Sequence, residues 1–272
     1  MTDVIYILGN GAAEIDDRPL RWSLRSLEKF ASNVGRVVVA GRIPRWLSDE
    51  VVKVPTPETT ARGANDGKAW NIMYGLKAAV EGAGLDCPFL FSSDDHYLAA
   101  PADLDQWPRY VRVSWSGLVL PTEALCRRKL KKAPDLYIRC LAETRSLMER
   151  HGLVPRNCSI HLDTWVDPVD LAEAIRVAES ERDKATIGYE TLCLVAGLHE
   201  RRTLAGGGRV MFTPYLHDAK AKSADDCQAK VDDGRPAFTT TPDAELDCEV
   251  AAWMEAFYDK PSRWETDKEA WE

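Results

Sequence analysis

Asp94 and Asp95 stand side by side just after a short run of large apolar residues, Phe89-Leu90-Phe91, with two serines between and His96 directly after them. Two adjacent anions at the end of a buried strand repel each other and lose hydration, so a compensating charge is expected. A divalent cation supplies it, because carboxylate oxygens suit Mg²⁺ or Mn²⁺ and phosphate oxygens can complete the shell. Aspartate is also a common turn residue, so a solvated Asp-Asp turn stands as the alternative. His161, within SIHLDTWVDP (Ser159–Pro168), is followed by Asp163 and Asp167, and a carboxylate can orient an imidazole as a base. His217 precedes Asp218 after a short apolar segment. Arg21 and Arg25 lie four apart, so on a helix both guanidinium groups point the same way. For such a pair alone, a solvated basic face is the simpler account.

The elements that must position these residues follow from apolar patterning. Val4–Leu8 predicts a strand, ending at Gly9-Asn10-Gly11, a turn that lets backbone approach a ligand closely. Leu20–Asn33 predicts an amphipathic helix with Leu20, Leu24 and Leu27 on one face. Strands are expected at Val37–Ala40 and Val51–Val54, a loop at Pro55–Gly67, and a second helix at Lys68–Glu81. With Phe89–Phe91, the alternation of strand and helix predicts an α/β fold with parallel winding, in which ligands bind at the carboxyl ends of strands. Gly9-Asn10-Gly11 and Asp94-Asp95 both fall at such ends.

Beyond Pro101 the pattern weakens. Short strands are expected among Trp107–Val119, and helices at Leu136–His151, Leu171–Arg182 and Ala244–Tyr258, with Gly206-Gly207-Gly208 as a flexible joint. The densest basic run is CRRKLKK (Cys126–Lys132), where Arg127, Arg128, Lys129, Lys131 and Lys132 form either a solvated helix face or a contact to phosphates.

Composition sets the bounds. At 272 residues, 45% hydrophobic and 29% charged, the chain can bury a full core. A formal charge of −8 argues against a wholly basic nucleic-acid-binding surface but not against a local basic patch. Seven scattered cysteines with no CxxC pair suit free thiols in a reducing compartment. Without a signal-like segment or a long apolar run, the expectation is a soluble, cytoplasmic protein. There is no GxxxxGK, no GxGxxG and no GxSxG, so ATPase, simple dinucleotide and α/β-hydrolase readings lack support.

Several blocks, in chain order, resemble the Stealth family, whose members transfer sugar-1-phosphate from nucleotide sugars. They are DVIYILGNG (Asp3–Gly11), LRWSLRSLEK (Leu20–Lys29), GRIPRWL (Gly41–Leu47), FLFSSDDHYL (Phe89–Leu98), His161 with Asp167, and YDKPSRWE (Tyr258–Glu265). The chain departs from the family pattern at Ser93, where the family has Asn, and at Asp163 and Thr164, where it has Pro and a second His. Pro242-Asp243 stands where the family has Asn-Asp.

The resemblance implies a GT-A-like (Rossmann-like) nucleotide-diphosphosugar transferase fold with a mostly parallel central sheet. Residues 1–100 would form a nucleotide-sugar-binding half, and 101–272 an acceptor-binding and catalytic half of one continuous domain. A UDP-like sugar donor would lie against Tyr6, Gly9, Asn10 and Gly11, with Arg21 and Arg25 on its diphosphate and Asn65 and Lys68 close by. Asp94 and Asp95 would hold Mg²⁺ or Mn²⁺, with His217 as a further metal ligand or second base. His161, oriented by Asp167, would deprotonate an acceptor hydroxyl, with Asp95 as the third catalytic residue. The acceptor would be a glycan or a hydroxymethylated DNA base, the basic run then gripping the DNA backbone, and no membrane is expected as a partner. A non-catalytic sugar-nucleotide-binding protein is the alternative function.

Overall fold

The computed structural model describes residues 1–9, 17–56, 68–107, 111–112, 119–122, 124–125, 136–158, 163–210, 213–214 and 220–266. The chain opens on β1 (Thr2–Leu8), α1 (Arg18–Phe30) and the two-residue β2 (Ala31–Ser32). It continues as β3 (Val34–Gly41), β4 (Val51–Pro55), α2 (Lys68–Ala83) and β5 (Phe89–Ser92). Then come β6 (His96–Leu98), β7 (Ala102–Asp103), β8 (Val111–Arg112), α3 (Leu136–Arg150), β9 (Thr164–Val166), α4 (Pro168–Ser180) and α5 (Thr191–Ala205). The C-terminal part carries β10 (Thr213–Pro214), β11 (Lys220–Ala221), α6 (Ala224–Asp232), β12 (Ala237–Thr240), α7 (Pro242–Leu246) and α8 (Cys248–Phe257).

The central sheet has five strands in the order β4-β3-β1-β5-β9. The first four are parallel and β9 runs antiparallel to β5. The protein is therefore α/β with a mostly parallel sheet, compatible with a Rossmann-like fold. Val37, Val38 and Val39 are buried in succession, as expected where both faces of a parallel sheet are covered. The chain builds outward from β1 through β3 to β4, then crosses back to lay β5 on the other side of β1. That reversal makes the carboxyl ends of β1 and β5 the topological switch point, where open α/β sheets form a ligand crevice.

Each face has its own cover. On one, Leu20, Leu24 and Leu27 of α1 pack against Val4, Tyr6 and Val39. Full burial of such a leucine stabilises by about 1.5–3 kcal/mol. On the other, Met73 and Leu76 of α2 and Leu171, Ala174 and Leu194 of α4 and α5 lie over Ile5, Val38 and Phe89. A third cluster joins Trp22 and Tyr97 to Phe238 and Met254, around the antiparallel pair β6–β12. The second half of the chain thus supplies a strand to the central sheet and helices to its core.

Gly41 ends β3 with φ +104°, and a Cβ there would stand 2.2 Å from the Leu8 carbonyl oxygen. The clash is with the neighbouring strand's backbone, which cannot swing aside. Gly41→Ala is expected to cost at least about 2 kcal/mol, from the disallowed φ and the displaced strand together, as measured by urea denaturation.

Several boundaries differ from expectation. α1 stops at Phe30 because Ala31-Ser32 pairs with Ala102-Asp103 as a short parallel bridge. α4 begins earlier, at Pro168, because Asp167 caps it. Gly206-Gly207-Gly208 is the C-terminal cap of α5, with the Gly206 N–H donating to the Arg202 carbonyl and Gly208 N–H to that of Thr203. The expected final helix is two, divided where Asp247 caps α8. Every cysteine among the described residues is a free thiol. No helix among them is long and apolar enough to cross a membrane.

Candidate functional site

Asp94 and Asp95 occupy the turn between β5 and β6, closed by the His96 N–H donating to the Ser93 carbonyl at 3.2 Å. The register pairs Tyr6 with Ser92, so the turn projects beside Gly9 at the end of β1. Both carboxylates are half-buried. Burial, reinforced by the charge of Asp95, pushes the Asp94 carboxyl up to about 6, while Lys68 draws it down and Asp17 draws it up. The first residue of α2 and the residue preceding α1 therefore both lie within electrostatic reach of Asp94, which brings two helix N-termini, with their positive partial charge, to this edge. Arg42, just past β3, donates to the Gly9 carbonyl at 3.4 Å and pairs with Asp17. The donor set fits a hard divalent cation: two adjacent carboxylates whose repulsion a metal would relieve, on an edge where phosphate oxygens could complete the shell.

Three expected donor contacts are placed elsewhere. Tyr6 is fully buried beneath α1, its hydroxyl 2.9 Å from Ser23 Oγ, so its side chain does not line the crevice. Arg25 is committed to carboxylates: Nε and Nη2 donate to Glu265 at 2.9 and 3.0 Å, and Nη1 donates to Glu255 at 2.6 Å. Arg21 does point the same way, but onto Glu265 at 3.5 Å and over the Trp46 ring at 4.2 Å from its centroid. Trp264 and Trp46 complete this assembly, with Ser48 N–H donating to the Trp264 carbonyl and Thr266 N–H to that of Trp46. Leu20–Lys29, Gly41–Leu47 and Tyr258–Glu265, three of the blocks that carry the family resemblance, thus meet as buried scaffold. Gly9 and Lys68 remain exposed at the crevice.

The direction of β9 separates two aspartates that the sequence places together. Phe91 pairs with Thr164 and Phe89 with Val166. Asp163 therefore lies level with Ser92 on the Asp94 edge, whereas Asp167, four residues on, is carried about 13 Å toward the opposite edge at about 3.3 Å per residue. Asp167 cannot orient a base at the Asp94–Asp95 turn. It caps α4 instead, accepting from the Val169 N–H at 2.9 Å, and pairs with Arg202. Asp167→Ala is expected to cost about 1–2 kcal/mol in thermal denaturation through the lost cap and ion pair.

At that far edge Asp167, Asp170 and His199 form a cluster that could hold a metal ion. Arg202 Nη2 already sits among them, 2.5 Å from Asp167 Oδ2, 2.8 Å from Asp170 Oδ2 and 3.5 Å from His199 Nδ1. A metal would have to displace that guanidinium. Nothing in the spacing marks this cluster, since Thr191–Leu198 of α5 is buried all round and lacks amphipathic spacing. His96 and Asp163 form a second unforeseen pair, Nδ1 to Oδ1 at 2.9 Å, only 2% and 1% exposed.

Asn10, Gly11, Asn65, His161, His217 and the basic run Arg127, Arg128, Lys129, Lys131 and Lys132 lie outside the described residues.

No family model matches this chain, and no curated protein matches it. The Stealth resemblance accordingly rests on the short blocks quoted above, and the candidate site rests on its geometry.

Proposed function

We propose that the chain is a metal-dependent transferase of the GT-A type, moving a sugar or sugar-1-phosphate from a UDP-like nucleotide sugar to an acceptor hydroxyl. The observation that carries this reading is the Asp94–Asp95 turn at the β1/β5 switch point, flanked by Lys68 and the N-termini of α1 and α2. Asp94 and Asp95 hold Mg²⁺ or Mn²⁺, which supplies charge neutralisation for the leaving phosphate. Exposed Gly9 lets the donor approach the β1 backbone, and Lys68 offsets diphosphate charge. His161, two residues before Asp163, is the base assigned to the acceptor hydroxyl.

The test is a nucleotide-sugar panel with Mn²⁺, read by mass on glycan and hydroxymethylated DNA acceptors. A hexose or hexose-phosphate increment on either acceptor supports the reading and identifies the group moved. Stabilisation by nucleotide with no turnover on any acceptor would instead mark a non-catalytic sugar-nucleotide-binding protein.

A further inference from the structure

We propose that His96 and Asp163 are positioning residues for the donor site: their buried contact ties the turn bearing Asp94 and Asp95 to the start of β9 and so fixes the acid pair's geometry.

His96 is the last residue of that turn, its N–H closing it on the Ser93 carbonyl. Its ring reaches Asp163 through Nδ1 at 2.9 Å, and Asp163 immediately precedes β9. Asp163 is held from the other side as well. Trp107 Nε1 donates to its carbonyl at 3.1 Å, and Trp165 Nε1 donates to the Trp107 carbonyl at 3.0 Å. The Trp107 ring meets His96 edge to face at 6.0 Å between centroids, which leaves the imidazole little room to turn. A carboxylate this deeply buried needs a polar neighbour, and the close approach of the imidazole offsets part of its burial cost. His96 Nε2 and Asp163 Oδ1 are both buried with no hydrogen-bond partner among the described residues, so the 2.9 Å approach is a close ion-pair contact without hydrogen-bond alignment. The ring's closest polar approach is the contact from Nδ1 to Asp163.

The contact links two short segments. β5 reaches the turn after only four residues, and β9 has only three. Neither is long enough to fix, through its own ladder, side chains beyond its end. Carboxylates one and two residues from this anchor inherit their aim from it, as outer-shell partners set the aim of metal ligands.

The inference rests on the donor-site reading, and binding of Mn²⁺ with UDP, followed by calorimetry alongside thermal denaturation, tests the two separately. The double variant His96→Leu with Asp163→Leu replaces the pair by apolar groups, leaves no buried charge and is expected to fold. It should bind Mn²⁺–UDP about 10–100-fold more weakly than wild type with little change in melting temperature, the typical loss for an outer-shell partner. His96→Asn places an amide N–H where Nδ1 stands and should stay within about threefold of wild type, whereas His96→Gln places its amide at the Nε2 position and should not. A folded double variant with wild-type affinity overturns the inference. Should the double variant not fold, His96→Gln binding as well as His96→Asn does the same. Wild-type protein that binds no Mn²⁺–UDP overturns the donor-site reading itself, and the inference with it.

Discussion

Asp95→Ala is expected to lower Mn²⁺-dependent transfer on the order of 10³-fold, and Asp94→Asn to match it while making the protein more stable at pH 7.5. The combination follows from the electrostatics of the turn. In the folded protein the Asp94 carboxyl is raised from 3.8 to about 6 by burial and by Asp95. Its contribution to stability is therefore fully present below about pH 4 and is lost as the pH rises through about 6. At pH 7.5 the ionised group works against the fold. The shift sets a ceiling of about 3 kcal/mol on what Asp94→Asn recovers, and partial exposure lowers it. The gain in melting temperature should vanish near pH 4, where the wild-type carboxyl is protonated folded and unfolded alike. Metal binding has the opposite demand, since a cation needs the carboxylate ionised. Mn²⁺ affinity should fall as the pH drops through about 6. If Asp94→Asn were no more stable than wild type at pH 7.5, burial and the charge of Asp95 would not be working against the ionised Asp94 carboxylate.

What the sequence made legible was the part of the fold that repeats a local pattern. Val37–Val39 and Val4–Leu8 announce buried parallel strands, and the return to Phe89–Phe91 after α2 places the acid pair at a strand end. β9 was illegible because Thr164-Trp165-Val166 is short and sits in a stretch that looks like loop. Its antiparallel direction is decided by pairing with β5 and not by its own residues. That direction sets Asp163 level with Ser92 and carries Asp167, the orienter of His161 that the resemblance implies, to the opposite edge of the sheet. α5 went unseen for a related reason: Leu192, Cys193, Leu194, Val195 and Ala196 are all buried, so no polar face marks a helical period. The arginines show the limit most clearly. Their spacing predicts that Arg21 and Arg25 point together, and they do, but nothing local says that what they point at is Glu265, at the far end of the chain.

Arg25 therefore supports the largest stability effect expected in the molecule. Its guanidinium is 3% exposed and the Glu265 carboxylate 2%, with the fork bound across both oxygens. Glu265 also accepts from the Ser262 N–H and hydroxyl, at 3.0 and 3.1 Å. Removing either partner leaves the other with one weaker or more exposed contact, Arg21 for Glu265 and Glu255 for Arg25, so Glu265→Ala and Arg25→Ala should each cost about 3 kcal/mol in urea denaturation. Glu255 is 44% exposed but also accepts from the Nε1 of buried Trp22 at 2.9 Å, and Glu255→Ala should cost about 1–2 kcal/mol. Replacing both members, as Arg25→Met with Glu265→Leu, removes the central pair but takes Glu265 from Arg21 as well, and should recover only part of the loss. Arg25→Lys distinguishes this role from phosphate binding. A lysine cannot span both carboxylate oxygens. As part of the clasp it should lower the melting temperature and leave nucleotide affinity near the wild-type value. A diphosphate ligand would show the reverse, with weakened nucleotide binding at unchanged melting temperature, and that result would return Arg25 to the donor site.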